Sequence, residues 1–184
     1  MLEYEKKIML KSEEYHAIIM MYKHAPIEVQ RNYYFDTYDL SMNRKGITCR
    51  IREKDGKYKA TIKSHDTEHP DCNIEESFAE KTEYDPLIFN AFGLEQQGEL
   101  VTKRMLAKED SFYKIYLDRN TYLGYTDFEL EIEYCKEGED KVNKLLEGIA
   151  KELVVLRVLT DKDEFLERIG KGKFKSQRFF ERKI

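Results

Sequence analysis

The chain has little of what builds disulfide scaffolds, linkers or membrane spans. It carries 3 cysteines in 184 residues, Cys49, Cys72 and Cys135. They are too few and too scattered for a disulfide framework, and none forms a Cys-x-x-Cys pair, so a reducing compartment fits. With only 3 prolines and 9 glycines, no linker-like stretch or evident repeat divides the chain, and a single domain over 1–184 is expected. The longest apolar run, Ala17 to Met21, is far short of a membrane span. The opening Met-Leu-Glu-Tyr-Glu-Lys-Lys lacks the apolar segment of a secretion signal. A cytoplasmic protein with no membrane partner is the expectation. An excess of charge of one sign is also missing. The 32 basic and 36 acidic side chains leave a net charge of −4, with a pI of about 5.7. Bulk charge therefore gives no attraction to nucleic acid, although it leaves room for a local basic site. His16, His24, His65 and His69 show no pairing with cysteine at zinc-ligand spacing. Gly170-Lys171-Gly172-Lys173 lacks the spacing and final hydroxyl of a P-loop, and reads as a basic turn after a helix.

What is present argues for a packed, mainly β domain. The hydrophobic fraction is 41%, with 13 Tyr and 10 Phe, against 37% charged residues. That is enough apolar material for a core. Period-two alternation predicts strands near 2–11, 31–37, 47–54, 57–64, 72–79, 99–107, 112–118 and 127–135. Ser12-Glu13-Glu14 reads as the start of a helix that ends before Pro26, and further helices are expected near 86–92, 140–153 and 161–169. The strand count predicts an α+β fold, mainly β: a closed eight-stranded antiparallel barrel or tunnel with helices packed outside.

The faces of the strands carry the functional signal. Asp55-Gly56 between two alternating runs predicts a two-residue hairpin. Its register sets Arg52 opposite Lys59, Arg50 opposite Thr61 and Thr48 opposite Lys63. Cys49, Ile51, Ala60 and Ile62 then share the other, apolar face. A solvated outer face is one explanation of such cations. Like charges directly opposite on a sheet, however, cost up to about 1 kcal/mol per pair. An anion held between them turns that cost into charge-assisted hydrogen bonds.

The acidic counterpart lies in the first and last strands. Alternation puts Glu3, Glu5 and Lys7 on one face, and Glu129, Glu131 and Glu133 on one face against Phe128, Leu130 and Ile132. If these strands close a barrel, the carboxylates converge, with Lys7, Arg50, Arg52 and Lys63 lining the same interior. Carboxylate ligands suit a hard divalent cation, and Arg and Lys suit phosphate oxygens. Acid and base in one cavity read as metal plus polyphosphate.

Glu3-x-Glu5-x-Lys7, Tyr34-Phe35-Asp36-Thr37, Arg50-x-Arg52, Lys63 and the late Glu129-x-Glu131, in this order, resemble the CYTH superfamily of triphosphate tunnel metalloenzymes. The likeness covers nearly the whole chain, and Tyr122-Leu123-Gly124 leading into the last strand looks most like the small stand-alone bacterial members. The resemblance implies a triphosphate bound along a tunnel and hydrolysed with Mg²⁺ or Mn²⁺. Matched by position, Glu3, Glu5, Asp118, Glu129 and Glu131 would hold metal, with Glu75 and Glu133 as further candidates. Lys7, Arg50, Arg52, Lys59, Lys63, Arg104, Lys175 and Arg178 would bind the phosphates. Glu5, Lys7, Arg52 and Arg104 would carry the catalysis. Thr102 replaces the family's usual basic residue two positions before Arg104. Two rivals share the features: an adenylate cyclase using the same tunnel on ATP, and a non-catalytic polyphosphate-binding module. The family histidine that often precedes the N-terminal motif in cyclases is absent here, and a pure binder has no use for both Glu-x-Glu elements.

Overall fold

The computed structural model describes residues 4–65 and 73–183. Glu3, His69 and Cys72, among the residues singled out above, lie outside the described residues. The strands are β1 (Tyr4–Leu10), β2 (Ile27–Asp36), β3 (Ile47–Lys54), β4 (Lys57–His65), β5 (Asn73–Lys81), β6 (Glu95–Glu109), β7 (Tyr113–Tyr122) and β8 (Tyr125–Tyr134). The helices are α1 (Ser12–Met21), α2 (Ser41–Arg44), α3 (Leu87–Asn90), α4 (Glu139–Val155), α5 (Lys162–Leu166) and α6 (Lys175–Lys183). The strands form one antiparallel sheet in the order β1-β8-β7-β6-β2-β3-β4-β5. The first and last strands of the chain do pair, as expected. The order nevertheless begins at β1 and ends at β5, so among the described residues the ladder runs from edge to edge. Counting strands predicted a closed ring, but a count carries no information on which edges pair.

Turn chemistry explains the registers. Asp55 and Gly56 have φ of 51° and 73°, which matches the two-residue turn whose twist suits a hairpin. The resulting β3–β4 ladder pairs Thr48 with Lys63, Arg50 with Thr61 and Arg52 with Lys59, as the alternation predicts. Leu123 and Gly124, with φ of 46° and 78°, make the same kind of turn between β7 and β8.

Two compact units are described separately: one holds residues 4–28, 103–119 and 126–172, the other 29–65, 73–102, 120–125 and 173–183. In the first, Ile8, Leu10, Ile115, Leu117, Leu130 and Ile132 meet Ile18 of α1, Val142, Leu146, Ile149 and Leu153 of α4, and Phe165 of α5. Alternation therefore turns Lys7, Arg104, Asp118, Glu129 and Glu131 to the opposite face, where they are also buried. In the second unit, Phe35, Cys49, Ile51 and Ala60 pack with Phe89 and Leu94. On the other face Tyr34, Leu100 and Tyr122 enclose Phe179 and Phe180 of α6.

Hydrophobic periodicity predicts no helix over α6, in which Phe179 and Phe180 are the two apolar residues among charged and polar ones. Its anchoring depends on a glycine. A Cβ on Gly98 would lie 2.8 Å from the Phe179 ring, and Gly98 has a φ of +148°. Gly98→Ala is expected to destabilise the protein by about 1–3 kcal/mol through overpacking and backbone strain. A melting curve unchanged from wild type would contradict this account of how α6 is held.

Candidate active site

In the first unit β1 pairs with β8, setting Glu5 opposite Glu133, Lys7 opposite Glu131 and Met9 opposite Glu129. Arg104 on β6 reaches this face and binds two carboxylates at once. Its Nε donates to Asp118 Oδ1 at 2.9 Å, and its Nη2 donates to Asp118 Oδ2 at 2.6 Å and to Glu131 Oε1 at 2.8 Å. Burial opposes the guanidinium charge, yet Glu131 and Asp118 outweigh it and hold Arg104 above its ordinary pKa. Lys7 Nζ lies 2.6 Å from Glu5 Oε1 and 3.8 Å from Glu131 Oε2. The Tyr116 ring stacks on Arg104, 4.3 Å from the guanidinium carbon. Burial first, then Glu133, pushes the Tyr116 phenol up to about 12, so it stays protonated at neutral pH.

Carboxylate oxygens of Asp118, Glu129 and Glu131 all lie within 4.8 Å of one another, and the three residues are buried. Opposite ligands of one Mg²⁺ stand about 4 Å apart, so a shift of under about an ångström lets the three share an ion. Charge points the same way. Lys7 and Arg104 are cations that the ion pairs just described set against Glu5, Asp118 and Glu131. Buried carboxylates brought this close repel one another, and a cation shared between them removes that cost. A divalent cation fits the oxygen-only donor set and this crowding of negative charge.

The second unit gathers the cations. Arg50 Nε donates to Thr61 Oγ1 at 3.0 Å, and its Nη2 donates to both oxygens of Glu75 at 2.9 and 3.0 Å. Arg52 Nε donates to Asn32 Oδ1 at 3.0 Å. Burial works against the charge of Glu75, but Arg50, Arg52 and Lys63 together hold its pKa below the ordinary value. Tyr34 is fully buried, and burial raises its pKa against the opposing fields of Arg50, Lys175, Arg52 and Arg178. Thus α6 adds Lys175 and Arg178 to the cations of the hairpin. Thr48 Oγ1 donates to Ser176 Oγ at 2.9 Å, tying the helix to β3. Lys63 Nζ lies 5.5 Å from the Phe174 ring centre.

Placed residue by residue, the structure joins Glu5, Lys7, Arg104, Asp118, Glu129 and Glu131 in one cluster. Glu133 stands half-buried opposite Glu5. Arg50, Arg52, Lys63, Lys175 and Arg178 form the other cluster with Glu75. Lys59 is exposed, opposite Arg52 on one side and Glu80 on the other. The choice between Glu75 and Glu76 is decided by the β4–β5 register, which sets Glu75 opposite Lys63 and Glu76 opposite Ile62. Tyr116, Asn32 and Thr61 were missed as parts of the site. Alternation with Asp118, Tyr34 and Lys63 was the available signal.

An antiparallel, mainly β sheet of eight strands with helices packed on it, carrying buried acidic and basic side chains, defines the fold class. The CYTH domain family matches residues 1–164. The chain belongs to that family. The curated protein named "Putative triphosphatase YjbK" from Bacillus subtilis (strain 168) is 29% identical over 167 residues, covering 79% of this chain and 85% of its own. A Bacillus halodurans crystal structure, named as a putative adenylate cyclase, superposes with a TM-score of 0.66 at 24% identity, covering 97% of both chains. HpAC1 from Hippeastrum, a protein named as a putative adenylyl cyclase and described as having a dominant triphosphatase activity, superposes with a TM-score of 0.55 at 18% identity, covering 82% of this chain and 86% of its own. These two likenesses are of fold. Among the described residues, no helix is long and apolar enough to cross a membrane.

Proposed function

We propose that the protein is a divalent-metal-dependent triphosphatase acting on inorganic triphosphate or on an organic triphosphate such as a nucleoside or thiamine triphosphate. The observation that carries this reading is the buried Asp118, Glu129 and Glu131 cluster with Arg104 locked onto it. Family membership and the YjbK likeness support the same reading. Glu129 and Glu131, with Asp118 and Glu5, would hold Mg²⁺ or Mn²⁺. When bound, such an ion polarises phosphate oxygens and lowers the pKa of a coordinated water. Arg50, Arg52, Lys63, Lys175 and Arg178 bind the anionic phosphates, and Arg can grip two oxygens at once. Lys7 and Arg104 offset the charge that builds on the leaving phosphate. Asp118 serves first to orient Arg104, through a two-pronged contact. Hydrolysis forms a bond from water oxygen to the terminal phosphorus and breaks its bond to the bridging oxygen. A reducing, cytoplasmic setting suits the free thiols of Cys49 and Cys135.

Product analysis with ATP separates the hydrolase from the cyclase. Orthophosphate and ADP are the expected products with Mg²⁺ or Mn²⁺. Cyclic AMP with pyrophosphate would overturn the hydrolase assignment. Tight binding of inorganic, nucleoside and thiamine triphosphates without turnover of any of them would favour a polyphosphate-binding module.

A further inference from the structure

Residues 168–172 lie beyond the 1–164 span that the family matches, yet they pack on the strand that carries Lys7. Arg168 is the anchor. Its Nη1 donates to Met9 O at 2.8 Å and to Glu14 Oε2 at 3.0 Å, and its Nη2 donates to Glu14 Oε1 at 2.5 Å. Glu14 is fully buried and also accepts the Lys11 backbone N–H at 2.8 Å. Two residues further on, the Gly170 N–H donates to Lys7 O at 2.9 Å. The carbonyls of Lys7 and Met9 alternate along β1, which stands at one end of the strand order. The segment therefore satisfies an edge that would otherwise be open to water or to another strand.

Gly172 completes the contact. A Cβ there would lie 3.2 Å from Lys7 Cγ, 3.5 Å from Lys7 Cδ and 3.4 Å from Met9 Cγ. Its φ lies outside the left-handed region, so what a side chain here would disturb is the space over the Lys7 stem and not the backbone conformation. Lys7 is thus fixed at three points: its carbonyl by Gly170, its stem beneath Gly172, and its ammonium by Glu5 and Glu131. A free lysine side chain has about 2 kcal/mol of rotamer entropy to lose on ordering. A stem already confined loses less when it meets a phosphate.

We propose that residues 168–172 are a positioning strap for Lys7, anchored by Arg168 on Glu14 and dependent on the absence of a side chain at Gly172. The strap rests on the reading of Lys7 as a phosphate contact. None of its residues is a catalytic residue; they act through Lys7.

A double-mutant cycle tests it, with inorganic triphosphate binding measured by calorimetry without divalent metal so that turnover does not intervene. Gly172→Ala is expected to weaken binding about tenfold, less than the ~100-fold that a full ångström of misplacement can cost. In a Lys7→Ala background the same substitution should cost nothing further. Wild-type affinity in Gly172→Ala, or a loss that persists in full without the Lys7 side chain, would overturn the strap. If Gly172→Ala instead lowers the melting temperature, Lys7→Ala in the same chain should restore it by removing the clash partner, and failure to restore it would equally overturn the proposal. Absence of triphosphate binding by the wild type would overturn the phosphate role of Lys7 instead. The strap is then judged on the melting-temperature cycle alone, where no coupling between Gly172 and Lys7 overturns it.

Discussion

Replacing Glu129 and Glu131 together by Gln is expected to lower metal-dependent triphosphate turnover about a thousandfold or more, while triphosphate binding survives. Gln keeps the volume of Glu, so both buried positions stay filled. Arg104 loses one charged partner at Glu131 but keeps its two-pronged contact with Asp118. What disappears is the negative charge that would recruit a divalent ion. Even outer partners of metal ligands cost ~10–100-fold in affinity when mutated, and two direct ligands lost together compound the effect. The cations Arg50, Arg52, Lys63, Lys175 and Arg178 are untouched by the change. Orthophosphate release and calorimetric titration with inorganic triphosphate separate the two properties. A variant that turns over like wild type would remove these carboxylates from the metal site, and one that loses binding and turnover alike would deny the division of labour between acid and base.

The second large effect is expected at Arg104. Arg104→Met removes the cation that neutralises Asp118 and Glu131, both carboxylates being buried. Breaking a buried ion pair from one side typically costs about 3–5 kcal/mol, because the remaining charge is uncompensated. Catalysis should also fall, by roughly 100-fold or more, through loss of a preorganised donor. Metal dependence should change as well. With Arg104 gone Asp118 and Glu131 lose a shared cation, so saturating Mg²⁺ should raise the melting temperature of the variant more than that of the wild type. Ligand at about a hundred times its Kd stabilises by ~2.7 kcal/mol, enough to be read in a thermal scan. Equal stability of variant and wild type without metal would show that the carboxylates do not depend on Arg104.

The two clusters were unequally legible in the sequence. The hairpin was read correctly to the residue, because Asp55-Gly56 fixes the turn and alternation fixes the faces. Thr48, Arg50 and Arg52 accordingly stand opposite Lys63, Thr61 and Lys59. The β1–β8 pairing was also expected from the two acidic runs, and the structure sets Lys7 opposite Glu131. Glu75 was harder. Its neighbour Glu76 has the same chemistry, and the register shift between Ala60 and Thr61 is a property of two strands at once. The Arg50–Glu75 contact answers part of the like-charge argument, since an acidic partner comes from β5. Contacts between distant segments left no local sign at all. Arg168 and Glu14 are 154 residues apart, and α6 is fixed by packing around Phe179 and Phe180.

Division of charge between two clusters explains why net charge said so little. The buried carboxylates and the Arg104 and Lys7 that meet them belong to the first unit, and the basic hairpin with α6 to the second. Carboxylates are concentrated in one cluster and Arg and Lys in the other, while the chain as a whole sums close to neutrality. Composition averages over that arrangement, whereas alternation along individual strands preserves it.

The most direct measurement is phosphate release from inorganic, nucleoside and thiamine triphosphates by the purified protein, with Mg²⁺ or Mn²⁺ and again with excess EDTA. Orthophosphate released from at least one of these substrates with metal, and suppressed by EDTA, is the expected result. Release of no orthophosphate from any of them, or release undiminished by EDTA, would contradict a metal-dependent triphosphatase.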